Sequence, residues 1–164
     1  IGPLNAAAAR QAITKPVTDQ GMKIAAEAAD MIVAESHGYP YFLQEWGKHA
    51  WDAAARSPIR VQDVKAATAS VIAALDESFF RVRFDRLTPA EKKYLRAMAE
   101  LGPGPHRSGI IAEELKREVT SLGPTRNKLI AKGMIWSPNH GDTAFTVPLF
   151  DQFMRRIMPG DGWQ

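Results

Sequence analysis

The sequence predicts a mainly α-helical chain: a bundle of four helices, then a smaller helical unit that carries one β-hairpin. Three observations point there. Apolar residues recur at helical spacing through the first half, with no alternating run of the kind a strand would show. A strong helix start at Leu87-Thr88-Pro89-Ala90-Glu91 reopens the pattern after a stretch of aromatics and arginines. Late in the chain, Met134 to Val147 reads as two short strands around a turn.

In the first half, Asn5 has the side chain to cap an alanine-rich helix. That helix is expected to stop before Pro16, because a residue preceding proline disfavours the helical region. The second helix sets Ile24, Ala28, Met31 and Ile32 on one face. It stops at His37-Gly38-Tyr39-Pro40, where Gly38 suits a left-handed position and Pro40 the first turn of the next helix. The third turns Phe42, Trp46, Ala50 and Ala53 to one side and breaks at Ser57-Pro58. The fourth carries Val61, Val64, Thr68, Val71, Ile72 and Leu75. These stripes have each other to bury against, which makes a small bundle over residues 1–84.

Phe79, Phe80 and Phe84 interleave with Arg81, Arg83 and Arg86. Such a run can stack on and grip nucleic acid. The preferred reading is a joining helix, apolar where it packs and charged where it is wet. Thr88 and Glu91 then form a capping box with Pro89 at the first helical position, and Tyr94, Leu95, Met98 and Leu101 face inward. Gly102-Pro103-Gly104-Pro105 reads as a break between helices. A short helix follows with Ile111, Leu115 and Val119 on one side. Ser121 is expected to cap a third helix, closed by Gly133. Met134–Ser137 and Thr143–Val147 form the hairpin around Pro138-Asn139-His140-Gly141-Asp142. Pro148 is expected to open a last helix with Phe150, Phe153, Met154 and Ile157 inward, and residues 161–164 to fray. Three helices, a hairpin and a further helix compose a winged helix-turn-helix over residues 85–160.

Composition narrows the chemistry. The 164 residues contain no cysteine, which excludes disulfides, thiolate metal sites and a cysteine nucleophile, and suits a cytoplasmic protein. No apolar run is long enough to span a bilayer, so no membrane partner is expected. The chain opens Ile1-Gly2-Pro3-Leu4 rather than on methionine and shows no leader pattern, so a fragment with an upstream part elsewhere is expected. The four histidines, His37, His49, His106 and His140, lack metal-ligand spacing. Gly102–Gly109 is no phosphate loop, because Pro103 and Pro105 remove backbone donors and no Lys-Ser follows. Glu113 and Glu114 point about 100° apart on a helix and form no dyad. The expectation is a chain with no catalytic residues, no metal and no cofactor of its own.

The stretch from Ile1-Gly2-Pro3-Leu4 through Gly38-Tyr39-Pro40-Tyr41-Phe42-Leu43-Gln44 resembles the helical lid of P-loop ATPases of the AAA+ and STAND type. The winged helix after it has the position it takes in those proteins and in archaeal replication-initiator ATPases. The resemblance implies that Pro40 contacts adenine, with Gly38 and Tyr39 beside it. It also implies an upstream P-loop domain as partner, ATP or ADP with Mg in the parent protein, and a regulatory rather than catalytic role here. Gln44 and Glu45 stand where many AAA+ lids carry an arginine, which leans towards a STAND-like lid. The plain alternative is that glycine after one helix and proline opening the next already explain the tripeptide.

The excess positive charge lies in residues 87–164, which carry eleven Lys/Arg against eight Asp/Glu. DNA is therefore a candidate partner, as are a second protein and self-association. Gly123 and Pro124 near the start of the reading helix contact no bases. The expected phosphate contacts are Arg126, Asn127, Lys128, Lys132 and His140.

Overall fold

The computed structural model describes residues 2–164. It is mainly helical with a small antiparallel sheet. Contacts divide the chain into two compact units, one ending at Phe79 and one running from Phe80 to Gln164. Among the described residues no helix is long and apolar enough to cross a membrane.

The first unit contains α1 (Ala6–Asp19), α2 (Ala26–Ser36), α3 (Pro40–Ala53) and α4 (Val61–Leu75). Asn5 caps α1 by accepting from the Ala8 N–H at 2.8 Å. The helix does not stop before Pro16, as the sequence suggested, but runs through it to Asp19. Proline removes one backbone bond there, while Ile13 and Val17 remain buried on either side of it. Helices α3 and α4 form the most extensive pair, with Phe42, Trp46 and Ala50 facing Val64, Val71 and Leu75 in the buried core. Ala53, expected inward, is exposed because the helix has passed the edge of that core.

Ile24 also departs from expectation. It precedes α2 and forms a parallel bridge with Ile59. The Ile59 N–H donates to Lys23 O and the Ala25 N–H to Ile59 O, both at 2.9 Å. Two loops distant in sequence are thereby tied, with Ile59 buried beneath.

The π-helical turn Asp76–Phe80 follows α4 and leads into α5 (Arg81–Phe84). The second unit continues through α6 (Pro89–Glu100), β1 (His106–Arg107), α7 (Ser108–Glu114), α8 (Val119–Ala131), β2 (Ile135–Trp136), β3 (Asp142–Phe145) and α9 (Phe150–Ile157). The sheet has the order β1-β3-β2. The expected hairpin is present, with Ile135 opposite Phe145 and Trp136 opposite Ala144. The third strand was not expected: His106 pairs with Thr143 and Arg107 with Asp142.

Three boundaries differ. Helix α8 begins at Val119, not after Ser121, and carries Pro124 inside it. Val119 is therefore not on the short helix, and it is exposed. The last helix opens at Phe150, preceded by Leu149 in a left-handed conformation, so Pro148 lies outside it. The final residues do not simply fray, because Trp163 is buried. Arg96, itself buried, donates from Nε to Met158 O at 2.7 Å and from Nη2 to Gly160 O at 3.3 Å. Its guanidinium lies 4.8 Å from the Trp163 ring centroid, a cation–π contact.

Candidate functional site

The first candidate is the corner between α2 and α3. His37 and Gly38 both take left-handed backbone angles, with φ of 53° and 68°. The Leu4 N–H donates to Gly38 O at 2.9 Å. A Cβ on residue 38 would lie 2.9 Å from Leu4 O, so close approach and positive φ together require glycine. The fold thus joins Gly2-Pro3-Leu4 to Gly38-Tyr39-Pro40; Ile1 lies outside the described residues. Tyr39 is half-buried, its ring 4.8 Å from Phe42 and 6.0 Å from Phe79. Pro40 opens α3, where its missing N–H costs no helical bond, and it is half-buried. Gln44 is exposed and Glu45 faces His49 at 3.4 Å. The corner offers shape and partly open apolar surface rather than reacting groups.

The second candidate is the α8 face and the β2–β3 turn. Arg126 is turned inward: Nε donates to Thr143 Oγ1 at 2.9 Å and Nη2 to Asp142 O at 3.1 Å. Lys132 donates to both carboxylate oxygens of Glu91, at 2.7 and 3.1 Å, and to Arg86 O at 2.9 Å. Burial pushes the Glu91 carboxyl up, but Lys132 and the hydrogen bonds from Thr88 outweigh it and leave it below the ordinary value. Burial likewise raises the Tyr94 phenol, which its hydrogen bond with Thr143 and the charge of Arg126 only partly offset. Two of the expected phosphate contacts, Arg126 and Lys132, are thus engaged within the fold. Asn127 and Lys128 are exposed on α8, and His140 is exposed at the turn.

The aromatic–arginine run resolves into packing. Phe79 is buried within the first unit. In the second unit Phe80 lies 5.3 Å from Phe153, and Phe84 lies 5.8 Å from Phe153, ring centroid to centroid. These faces are not available for stacking on bases. Among the described residues no cluster of His, Asp or Glu is placed to hold a metal.

Sequence reasoning passed over Arg96 and Lys116. Arg96 lies on the inward side of α6 between Leu95 and Met98, and an arginine inside an apolar run was the available signal. Lys116 takes φ 54° just past Leu115, the C-cap of α7. A lysine where a helix ends without glycine was the signal there.

Comparison with solved structures finds the RuvB Holliday junction branch migration motor of Thermotoga maritima, 18% identical with a TM-score of 0.42. An arginine-to-alanine variant of RuvB from the same organism is 18% identical with a TM-score of 0.43. A lysine-to-arginine variant is 19% identical with a TM-score of 0.41. Each alignment covers 88% of this chain and 47% of the other, so the chain spans about half the length of these structures. No curated protein matches. Residues 77–154, from the π-helical turn into α9, match a family model described as a domain of unknown function, DUF8462.

Proposed function

We propose that this chain is a non-catalytic regulatory segment of an AAA+/STAND-type P-loop ATPase. Its first unit acts as a lid over ATP or ADP held with Mg by an upstream P-loop domain. Its winged helix is the module whose state follows the nucleotide. The observation that carries the reading is the Leu4–Gly38 bond. It builds into one corner the two segments, Gly2-Pro3-Leu4 and Gly38-Tyr39-Pro40, on which the resemblance to those lids rests. Gly38 holds the backbone, Tyr39 is spent on the aromatic cluster, and Pro40 is the candidate base contact. The phosphates and Mg would fall to the upstream domain.

The test is Pro40→Ala in the intact protein. Nucleotide affinity is expected to fall by roughly tenfold, about 1.4 kcal/mol, with a smaller change in unfolding free energy. An unchanged affinity with a lowered unfolding midpoint returns the motif to a purely structural role.

A second reading is favoured by the exposure of Asn127, Lys128 and His140 on one unit: the winged helix grips DNA through phosphates. Binding would be weakly selective among duplexes, and Lys128→Ala would flatten the log–log salt slope by about one unit. Anisotropy with unrelated duplexes across a salt series measures this. Absence of binding at low salt ends the reading.

A further inference from the structure

A cleft of about 580 Å³ opens in the second unit where the first turn of α6 meets the α7–α8 turn. Pro89, Ala90, Leu115 and Leu122 give it an apolar floor. Three cations, Lys93, Lys116 and Arg117, line it as well, against the Glu114 side chain, and Thr125 and the last residue, Gln164, complete the lining. All three cations are exposed, and none has a side-chain hydrogen bond or ion pair with another described residue. This contrasts with Arg126, Lys132, Arg96 and Arg155, each bonded within the unit.

Lys116 sharpens the argument. The Lys116 N–H donates to Glu113 O and the Arg117 N–H to Ala112 O, both at 3.0 Å. This is the bonding pattern that ends a helix on a left-handed residue, a position usually given to glycine. A lysine there carries a backbone cost, and its ammonium has no partner among the described residues to offset it. The strained backbone instead places a cation on the cleft.

We propose that this cleft binds an acidic, amphipathic segment of a partner protein. Apolar side chains of the segment rest on Leu115 and Leu122, and its carboxylates meet Lys93, Lys116 and Arg117. Charge complementarity and the apolar lining together select this occupant. A DNA duplex brings phosphates but no free hydrocarbon side chain to fill the cleft, and a small inorganic anion leaves the apolar surface wet. The inference does not depend on the nucleotide-lid reading.

The test titrates the 164-residue chain into fluorescein-labelled peptides followed by anisotropy, at an ionic strength of about 0.15 M. One peptide is a helix of leucine and glutamate. In a second every glutamate is glutamine, and in a third every leucine is serine. The leucine–glutamate peptide is expected to saturate, and each control to bind at least about tenfold more weakly. Lys116→Gly removes the cation while easing the backbone, so affinity should fall about tenfold with no fall in unfolding midpoint. Lys93→Gln should weaken binding on an unstrained helix, whereas Lys48→Gln, in the first unit, should leave it unchanged. Equal binding of the three peptides overturns the proposal, as does an affinity insensitive to both cleft substitutions. No saturation below about 1 mM overturns it too. Displacement of the peptide by a DNA duplex or by millimolar inorganic phosphate, lost in Lys116→Gly, assigns the cleft to a phosphate ligand and also overturns it.

Discussion

Trp46 and Glu91 are both enclosed, for opposite physical reasons. Trp46 is wholly buried between α3 and α4, with Nε1 3.5 Å from Thr68 Oγ1, too long for a strong bond. Its contribution is therefore packing, and Trp46→Ala should cost roughly 3–5 kcal/mol. Chemical denaturation measures this, and a loss under about 1 kcal/mol would be that of an exposed ring. Glu91 is an acid whose side chain is 2% exposed, held by Lys132 at 36% exposure. Removing the ammonium leaves a buried carboxylate short of a donor, so Lys132→Ala should cost on the order of 1–3 kcal/mol at neutral pH. The partial exposure of Lys132 screens the pair and favours the lower end. Because the folded Glu91 carboxyl lies below its ordinary value, its contribution is complete above that value. It is lost as pH falls through the folded one. The gap between wild type and Lys132→Ala should accordingly shrink in acid, measured by urea unfolding at neutral and acidic pH. A pH-independent gap would mean that Lys132 acts through Arg86 O alone. Trp46 was legible in sequence because its helical spacing to Phe42 and Ala50 marks an inward face. The Glu91–Lys132 pair was not, because its members stand 41 residues apart, and locally Glu91 reads as a capping-box residue and Lys132 as a surface charge.

Helix interiors were read well from periodicity, while several ends were not. Pro16 looks like a stop, yet α1 continues through it, and α8 starts early enough to carry Pro124 in its interior rather than near its first residues. A proline inside a helix costs about 3 kcal/mol. In α8 that is offset by the burial of Leu122 and Leu129 on either side of Pro124, at about 1.5–3 kcal/mol each. Local chemistry predicts the break and tertiary burial removes it. The shift of the α8 start from Ser121 to Val119 also moves Gly123 and Pro124 from the tip of that helix into its second turn. Val119, Thr120 and Ser121, all exposed, occupy the tip instead. Strand β1 was hidden for another reason. Two residues cannot show an alternating pattern, and His106-Arg107 follow a glycine–proline turn. What makes them a strand is the free edge of β3, which is supplied 35 residues later.

On the scale of the whole chain, each unit has a core of its own. The first gathers Ile32, Phe42, Trp46 and Leu75; the second gathers Tyr94, Leu95, Ile111, Leu129 and Phe150. Residues 80–164 are therefore expected to unfold cooperatively when produced alone, with coincident fluorescence and circular-dichroism transitions. A broad, non-coincident transition would mean that the second core needs residues before Phe80. The resemblance to ATPase lids rested on Gly38-x-Pro40, and the structure adds the Leu4 contact that makes glycine obligatory there. The cleft at Lys116 had no sequence motif, because it is assembled from α6, α7 and α8, each unremarkable alone. The Arg96 latch has a further consequence, for proteolysis. Chymotrypsin cuts after large aromatics, and the bond following Trp163 is chemically suitable. The indole must first leave Arg96, which is itself tied to the Met158 and Gly160 carbonyls. Where reclosing outpaces cutting, the rate of nicking at Trp163 gauges how often the tail stands open at equilibrium, separately from unfolding of the unit as a whole.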